Sequence, residues 1–146
     1  MVCLGNICRS PLAEGILKNK LQQEGLDWEV DSAGTGGWHN GEHPDPRSIA
    51  TAQKHDIDIS NQISRKVRSI DYENFDLIYA MDIQNYRDLL LLADDMERNK
   101  IKLILNEVEP GANKSVPDPY WDDDGFEKVY QMLERACTAI IKNHHS

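Results

Sequence analysis

Near the start of the sequence a cysteine and an arginine stand with five residues between them, Cys3-Leu4-Gly5-Asn6-Ile7-Cys8-Arg9, followed at once by Ser10-Pro11. A thiol can act as a nucleophile and a guanidinium is a permanent planar cation, so this pair could attack and hold an oxyanion. Gly5-Asn6 reads as a turn, Ser10 as a helix N-cap and Pro11 as the first helical residue. The segment then runs from a strand end into a helix start. In that setting the backbone N–H groups of Leu4, Gly5, Asn6, Ile7 and Cys8 can turn inward. The helix adds the positive end of its dipole, and the result is a cradle for a tetrahedral oxyanion. The same field favours thiolate over thiol at Cys3, and the thiolate is the form that attacks phosphorus. Arg9 can hold two phosphoryl oxygens with its fork, and Ser10 can donate a hydrogen bond to the Cys3 sulfur and ease its later departure. Spacing alone does not decide, because buried cysteines beside a solvated arginine give the same string by chance. The turn, the Ser-Pro helix start and the apolar lead-in favour the chemical reading.

Cleaving a phosphate ester also requires a proton for the leaving oxygen. The candidate donor is Asp118, held between Pro117 and Pro119 and followed by Tyr120 and Trp121. Two prolines stiffen the segment that aims the carboxyl, and the aromatic rings offer flat apolar walls beside it. A proline-rich surface turn is the ordinary meaning of such a string, and the residues by themselves leave that alternative open.

Other reactive side chains read as structural. His39, His43, His55, His144 and His145 lack ligand spacing with Cys or carboxylate partners, so no metal is expected, and His144-His145 reads as a frayed terminus. Asp122-Asp123-Asp124 is expected to cap a helix, and Cys137 falls on an apolar helical stripe where it packs in the core.

The elements that must position these residues follow from periodicity. The helix begun at Ser10-Pro11 carries Leu12, Ile16, Leu17 and Leu21 and ends at Gly25. Residues 28–32 alternate as a strand, and Gly34 to Gly41 is a glycine-rich loop carrying Trp38. Further elements are a helix from Pro46 to His55, a strand from Asp76 to Ala80, a helix capped by Asp82 and a strand from Ile101 to Leu105. After a loop from Asn106 to Asp123, a last helix buries Phe126, Val129, Tyr130, Leu133, Cys137, Ile140 and Ile141, with Asp124 and Glu127 at capping-box spacing. Alternating strands and helices imply an α/β single-domain three-layer sandwich: a mostly parallel twisted sheet of about four strands, helices on both faces, ligands at the strands' carboxyl ends. One domain over 1–146 is expected, its first strand cut short at the N-terminus.

Composition narrows the partners. A net charge of −9 excludes a general nucleic-acid or anionic-membrane surface, so an anionic ligand needs a local, purpose-built site. With 40% hydrophobic and 28% charged residues no apolar run approaches a membrane span. Three cysteines with no signal peptide are expected to be reduced thiols of a cytoplasmic protein.

Taken together, Val2 to Pro11, Asp31-Ser32-Ala33-Gly34, Trp38, Pro44-Asp45-Pro46-Arg47, Met81-Asp82, Asn85, Arg87-Asp88-Leu89 and Asp118-Pro119-Tyr120 resemble the low-molecular-weight protein tyrosine phosphatase family. The likeness covers nearly the whole chain. It implies hydrolysis of phosphotyrosine and small aryl phosphates through a phosphocysteine, with Cys3 as nucleophile, Arg9 as phosphate clamp and Asp118 as general acid and base. It further implies that Asn6 holds the loop in a strained conformation and that Trp38, Tyr120 and Trp121 wall a deep cleft. No cofactor is implied. The partners are a tyrosine-phosphorylated protein and inorganic phosphate as product and inhibitor, and the chain is a monomer or self-associates weakly. Relatives with a second loop cysteine make Cys8 the redox partner of Cys3. Where the family often has histidine, this chain has Arg65.

Three rival readings are weaker. An arsenate reductase on a similar fold needs further downstream cysteines, and Cys137 stands alone. Protein-arginine phosphatases resembling this chain typically carry threonine where Ile7 stands, and Ile7 favours an apolar contact with a tyrosine ring. A module that captures phosphorylated partners without turnover would lack the nucleophile or the acid, and both are present.

Overall fold

The computed structural model describes residues 1–145. Its first strand, β1 (Val2–Cys3), enters the loop ahead of helix α1 (Arg9–Glu24); then follow β2 (Ala33–Gly34), α2 (Pro46–Lys54) and α3 (Ser69–Asn74). The second half contains β3 (Ile78–Ala80), α4 (Ile83–Leu92), β4 (Ile101–Leu103) between two short 3-10 turns, and α5 (Gly125–His144). The four strands are all parallel in the order β2-β1-β3-β4. This is the expected three-layer α/β sandwich.

Strand alternation explains the layers. Cys3 and Tyr79 face one side of the sheet, where α1, α2 and α5 cover them with Leu12, Ile16, Ala52, Val129, Leu133 and Cys137. Val2, Ile78, Ala80, Ile101 and Leu103 face the other, against Tyr72 of α3 and Leu89 of α4. Both faces are sealed over the central strands, which is why β1 and β3 read as continuous apolar runs, while edge strand β4 carries the half-buried Lys102. Cys137 is fully buried and its thiol donates to Ala13 O at 3.7 Å, as expected of a packing residue. No helix among the described residues is long and apolar enough to cross a membrane.

Several boundaries differ from expectation. Residues 28–32 carry no ladder, because β1 offers partners only to Ala33 and Gly34. Their alternation is still real: Trp28 and Val30 pack against the core and Glu29 is exposed. β3 begins at Ile78 instead of Asp76, and β4 stops at Leu103, where the chain tightens into the 3-10 turn Ile104–Glu107. The short helix α3 leaves no periodic signal in the sequence, its six residues being too few to show one. The Asp124–Glu127 capping box is absent; Asp124 caps α5 without a side-chain bond, and Glu127 instead bonds His55 and Gln131. His144 is not frayed but lies within α5 and bonds Glu107 at 3.0 Å. The cap of α1 is Cys8, not Ser10, and Ser10 sits inside the first turn with its hydroxyl directed elsewhere.

Candidate active site

The loop between β1 and α1 is tied down by its carbonyl oxygens. Cys3 O accepts from Thr35 N at 2.9 Å and Leu4 O from Gly36 N at 2.9 Å. Gly5 O accepts from Ser64 Oγ at 3.0 Å, Ile7 O from Asp45 N at 2.8 Å and Cys8 O from Ser48 Oγ at 2.9 Å. In a trans peptide the next residue's N–H points opposite to the carbonyl. Pulling these oxygens outward therefore turns the N–H groups of Leu4, Gly5, Asn6, Cys8 and Arg9 toward the inside of the loop, and the Asn6 N–H reaches Cys3 Sγ at 3.3 Å. Gly34 is required beside it, since a Cβ there would stand 2.7 Å from Leu4 O.

Asn6 holds the loop's curl. It adopts φ 57, a left-handed conformation that asparagine tolerates better than most residues, and is 3% exposed. Its amide donates to Ser10 Oγ at 2.8 Å and Ser32 Oγ at 2.9 Å, and its Oδ1 accepts from Arg65 N at 3.1 Å. The Ser32 hydroxyl in turn donates to Oε1 of the buried Glu14 at 2.6 Å. Because Ser10 Oγ accepts from Asn6, its single proton is available to Cys3 Sγ, 3.0 Å away. The sulfur thus receives two donors, and the strain at Asn6 is offset by three side-chain hydrogen bonds.

Arg9 is 2% exposed. Among the described residues its hydrogen bonds to protein leave from Nη1 alone, to Asp82 Oδ2 at 2.6 Å and Val116 O at 3.0 Å. Nε and Nη2 remain available for a bidentate anion, with Nη2 at 3.8 Å from Asp118 Oδ2. Burial works against the guanidinium charge, but Cys3, Asp82 and Asp118 outweigh it and hold this group above the usual arginine value. Asp82 thereby serves two ends: one oxygen caps α4 through Asn85 N at 2.7 Å and the other fixes Arg9.

These residues enclose a pocket of about 300 Å³. Cys3 and Arg9 lie buried in it, and Asp118, Tyr120, Trp38, His39 and Trp121 line it nearer solvent. Tyr120 N donates to Asp118 Oδ1 at 3.0 Å, and the Tyr120 and Trp121 rings meet edge to face with centroids 4.8 Å apart. Trp38 and Trp121 are 75% and 90% exposed, so the two indoles stand as rims more than as walls. Ile7 and Cys8 also line the pocket and pack against Phe126 and Tyr120. Burial, together with Asp45, Cys3 and Asp118, pushes the Cys8 thiol far up and keeps it protonated.

All of the residues expected from the sequence therefore meet at one end of the sheet. The sequence-based list missed Asp82 as the partner of Arg9, Ser32, Glu14 and Ser64 as supports of the loop, and His39 as a pocket residue. Asp82 and Ser32 stood inside the resembling motifs; Glu14 and Ser64 had no signal, because only the fold brings them near.

The family model for low molecular weight phosphotyrosine protein phosphatases matches residues 1–145. The chain belongs to that family. A low molecular weight phosphotyrosine protein phosphatase of Schizosaccharomyces pombe is 41% identical, over 97% of this chain and 93% of that protein. A protein tyrosine phosphatase from Entamoeba histolytica, solved with Hepes in the active site, superposes with a TM-score of 0.91 at 39% identity, covering 97% of this chain and 92% of that one. The structure of a Drosophila arginine phosphatase superposes with a TM-score of 0.92 at 32% identity, covering 99% and 96%. Membership of the phosphatase family makes the chain an enzyme.

Proposed function

We propose that residues 1–146 form one cytoplasmic domain, monomeric or weakly self-associating, that hydrolyses phosphotyrosine in proteins through a phosphocysteine. The observation that carries this reading is Cys3 Sγ receiving Ser10 and the Asn6 N–H at 3.0 Å and 3.3 Å in the same pocket as Arg9.

In the first step the Cys3 sulfur attacks phosphorus and the bond from phosphorus to the phenolic oxygen breaks. Asp118 gives its proton to that departing oxygen. Arg9 holds two equatorial oxygens, and the inward N–H groups hold the third as charge spreads over them. In the second step Asp118, now a carboxylate, takes a proton from water as the water attacks the phosphocysteine. The sulfur leaves as thiolate, stabilised by the Ser10 proton, and inorganic phosphate is released; it also inhibits by occupying the cradle. No cofactor or metal takes part. Ile7 and Tyr120 offer apolar contact to an aryl ring between the cradle and solvent.

Cys8 lines the same pocket and is proposed as the redox partner. Peroxide oxidises the Cys3 thiolate to a sulfenic acid and is reduced to water. The Cys8 sulfur then attacks that sulfur as its proton passes to the sulfenic hydroxyl, the S–O bond breaks, water leaves, and a Cys3–Cys8 disulfide forms before further oxidation.

The test is turnover of a chromogenic aryl phosphate by wild type and Cys3→Ser. Wild type is expected to release the phenol in the presence of chelator, and Cys3→Ser to release none. Activity in Cys3→Ser, or activity lost to chelator and restored by a divalent ion, defeats the scheme, and preferential turnover of phosphoarginine reassigns the substrate.

A further inference from the structure

Residues 117–124 carry the proposed acid and are attached to the rest of the protein by the Asp118–Arg9 pair at 3.8 Å, by the packing of Tyr120 against Ile7, Cys8 and Phe126, and by few hydrogen bonds. Their hydrogen bonds run within the segment or to the start of α5, with one exception among the described residues: Arg47 Nη1 donates to Asp123 Oδ1. Arg47 lies at the second position of α2, and its other nitrogens are fixed. Nε donates to Asp45 Oδ1 at 3.0 Å and Nη2 to Asp45 Oδ2 at 2.9 Å. Its guanidinium carbon stands 5.5 Å from the Tyr120 ring centroid and 4.8 Å from that of Phe126. The start of α2 is in turn anchored to the cradle, through Asp45 N to Ile7 O at 2.8 Å and Ser48 Oγ to Cys8 O at 2.9 Å.

We propose that Arg47 is a positioning residue that holds the acid segment at its working distance from the cradle; this rests on Asp118 being the proton donor. One edge of the fork is locked to Asp45, and so to the cradle. The remaining nitrogen and the flat face of the guanidinium meet Asp123 and Tyr120, whose backbone N–H fixes the Asp118 carboxyl at 3.0 Å. A lysine has neither the fork nor the planar face, so it cannot span both contacts. Asp123 is 83% exposed at its side chain, and a pair this open contributes little to global stability. Its loss is therefore read in the aim of the acid rather than in folding.

The experiment compares Arg47→Met, Arg47→Lys, Asp123→Asn, the Arg47→Met/Asp123→Asn double variant and Asp118→Ala. Each is assayed on one aryl phosphate with a poor leaving phenoxide and one with a good one, with inorganic phosphate as inhibitor. Arg47→Met is expected to lower kcat on the poor leaving group by about tenfold, a displaced acid being costly even for small shifts, and to change the good one less. Phosphate inhibition stays within about twofold, because the cradle's ligands are untouched. Arg47→Lys recovers only part of the loss, Asp123→Asn repeats it in weaker form, and the double variant is no worse than Arg47→Met because both remove the same link. Equal losses on both leaving groups, weakened phosphate inhibition or additive losses in the double variant overturn the positioning role. If Arg47→Met fails to fold, Asp123→Asn poses the same question from the exposed side. A steep leaving-group dependence in Asp118→Ala beside a flat one in Arg47→Met overturns the Arg47 role alone, whereas a flat Asp118→Ala removes the acid itself.

Discussion

The cradle and the acid segment are built on opposite plans. Residues 3–9 are buried apart from Leu4 and Gly5, with nearly every carbonyl tied outward and Asn6 strained in place by three side-chain bonds. Residues 117–124 are largely exposed, with Asp118 itself exposed and Trp121 at 90%. The difference follows from what each part has to do. Charge on a transferring phosphoryl group is stabilised only by dipoles that do not have to reorganise, so that part must be rigid before the ligand arrives. A proton donor acts on the leaving group, which must enter and depart past it, and this part tolerates looser anchoring.

The contrast is sharpened most by Asp118→Ala. Proton donation is worth roughly 10²–10⁴ in rate, so turnover of a poor leaving group is expected to fall within that range while phosphate inhibition barely changes. The loss should shrink as the leaving phenoxide becomes more acidic. Steady-state kinetics over a series of aryl phosphates checks it, and a uniform loss across the series would make Asp118 structural.

Arg9→Lys probes the other plan. Lysine keeps the charge but cannot hold Asp82 and two phosphoryl oxygens in one plane, so turnover is expected to drop by about 10²–10³. Unlike the acid variant, it should weaken phosphate inhibition as well. Circular dichroism should show a folded protein, and near-normal kinetics would place the phosphate site elsewhere.

The two plans were unequally legible in the sequence. The cradle's own residues are contiguous, and their turn, strand end and helix start are local signals. The parallel sheet and the helical layer on each face followed from the alternation of strand and helix periods, whereas the strand order β2-β1-β3-β4 did not. What was hidden depends on tertiary approach: Glu14 lies one helical turn past the loop and Ser64 arrives from another segment, and nothing in their types marks them as supports of the cradle, whereas Ser32 and Arg65 stood at positions the resemblance singles out. The misplaced strand at 28–32 shows the same limit, since alternation reports which side is buried and not whether a pairing partner exists.

Oxidation distinguishes a rigid pocket from an open one on a smaller scale. Wild type treated with mild peroxide is expected to lose activity and regain it with thiol reductant, with phosphate slowing the loss. Cys8→Ala should be inactivated but recover poorly, because no second thiol intercepts the sulfenic acid. Mass spectrometry that finds sulfinic or sulfonic acid at Cys3, and no Cys3–Cys8 linkage, would leave Cys8 a packing residue.

The smallest expected effect concerns how the cradle is braced from behind. Arg65, whose N–H supports Asn6, is held by Asp71: Nη1 reaches Oδ2 at 2.8 Å and Nη2 reaches Oδ1 at 3.1 Å, while Arg68 N adds a bond to Oδ2 at 2.8 Å. Burial alone would push the Asp71 carboxyl up, but the bonds from Arg65 and Arg68 outweigh it and hold it below the usual carboxylate value. A group depressed in the folded state stabilises the protein above its unfolded value, about 3.9 for aspartate. That stability disappears as pH falls from there through the folded value. Urea midpoints measured from pH 6 downward should therefore drop for wild type below about pH 4, more steeply than for Asp71→Asn, whose amide does not titrate. At neutral pH the variant should be less stable by about 1.5–3 kcal/mol, the range for hydrogen bonds to a charged group. Asp45, Asp58 and Glu127 are also depressed and titrate in both proteins, so the difference between the two curves isolates Asp71. Parallel curves would mean that Asp71 is not what makes the bracing of the cradle sensitive to acid.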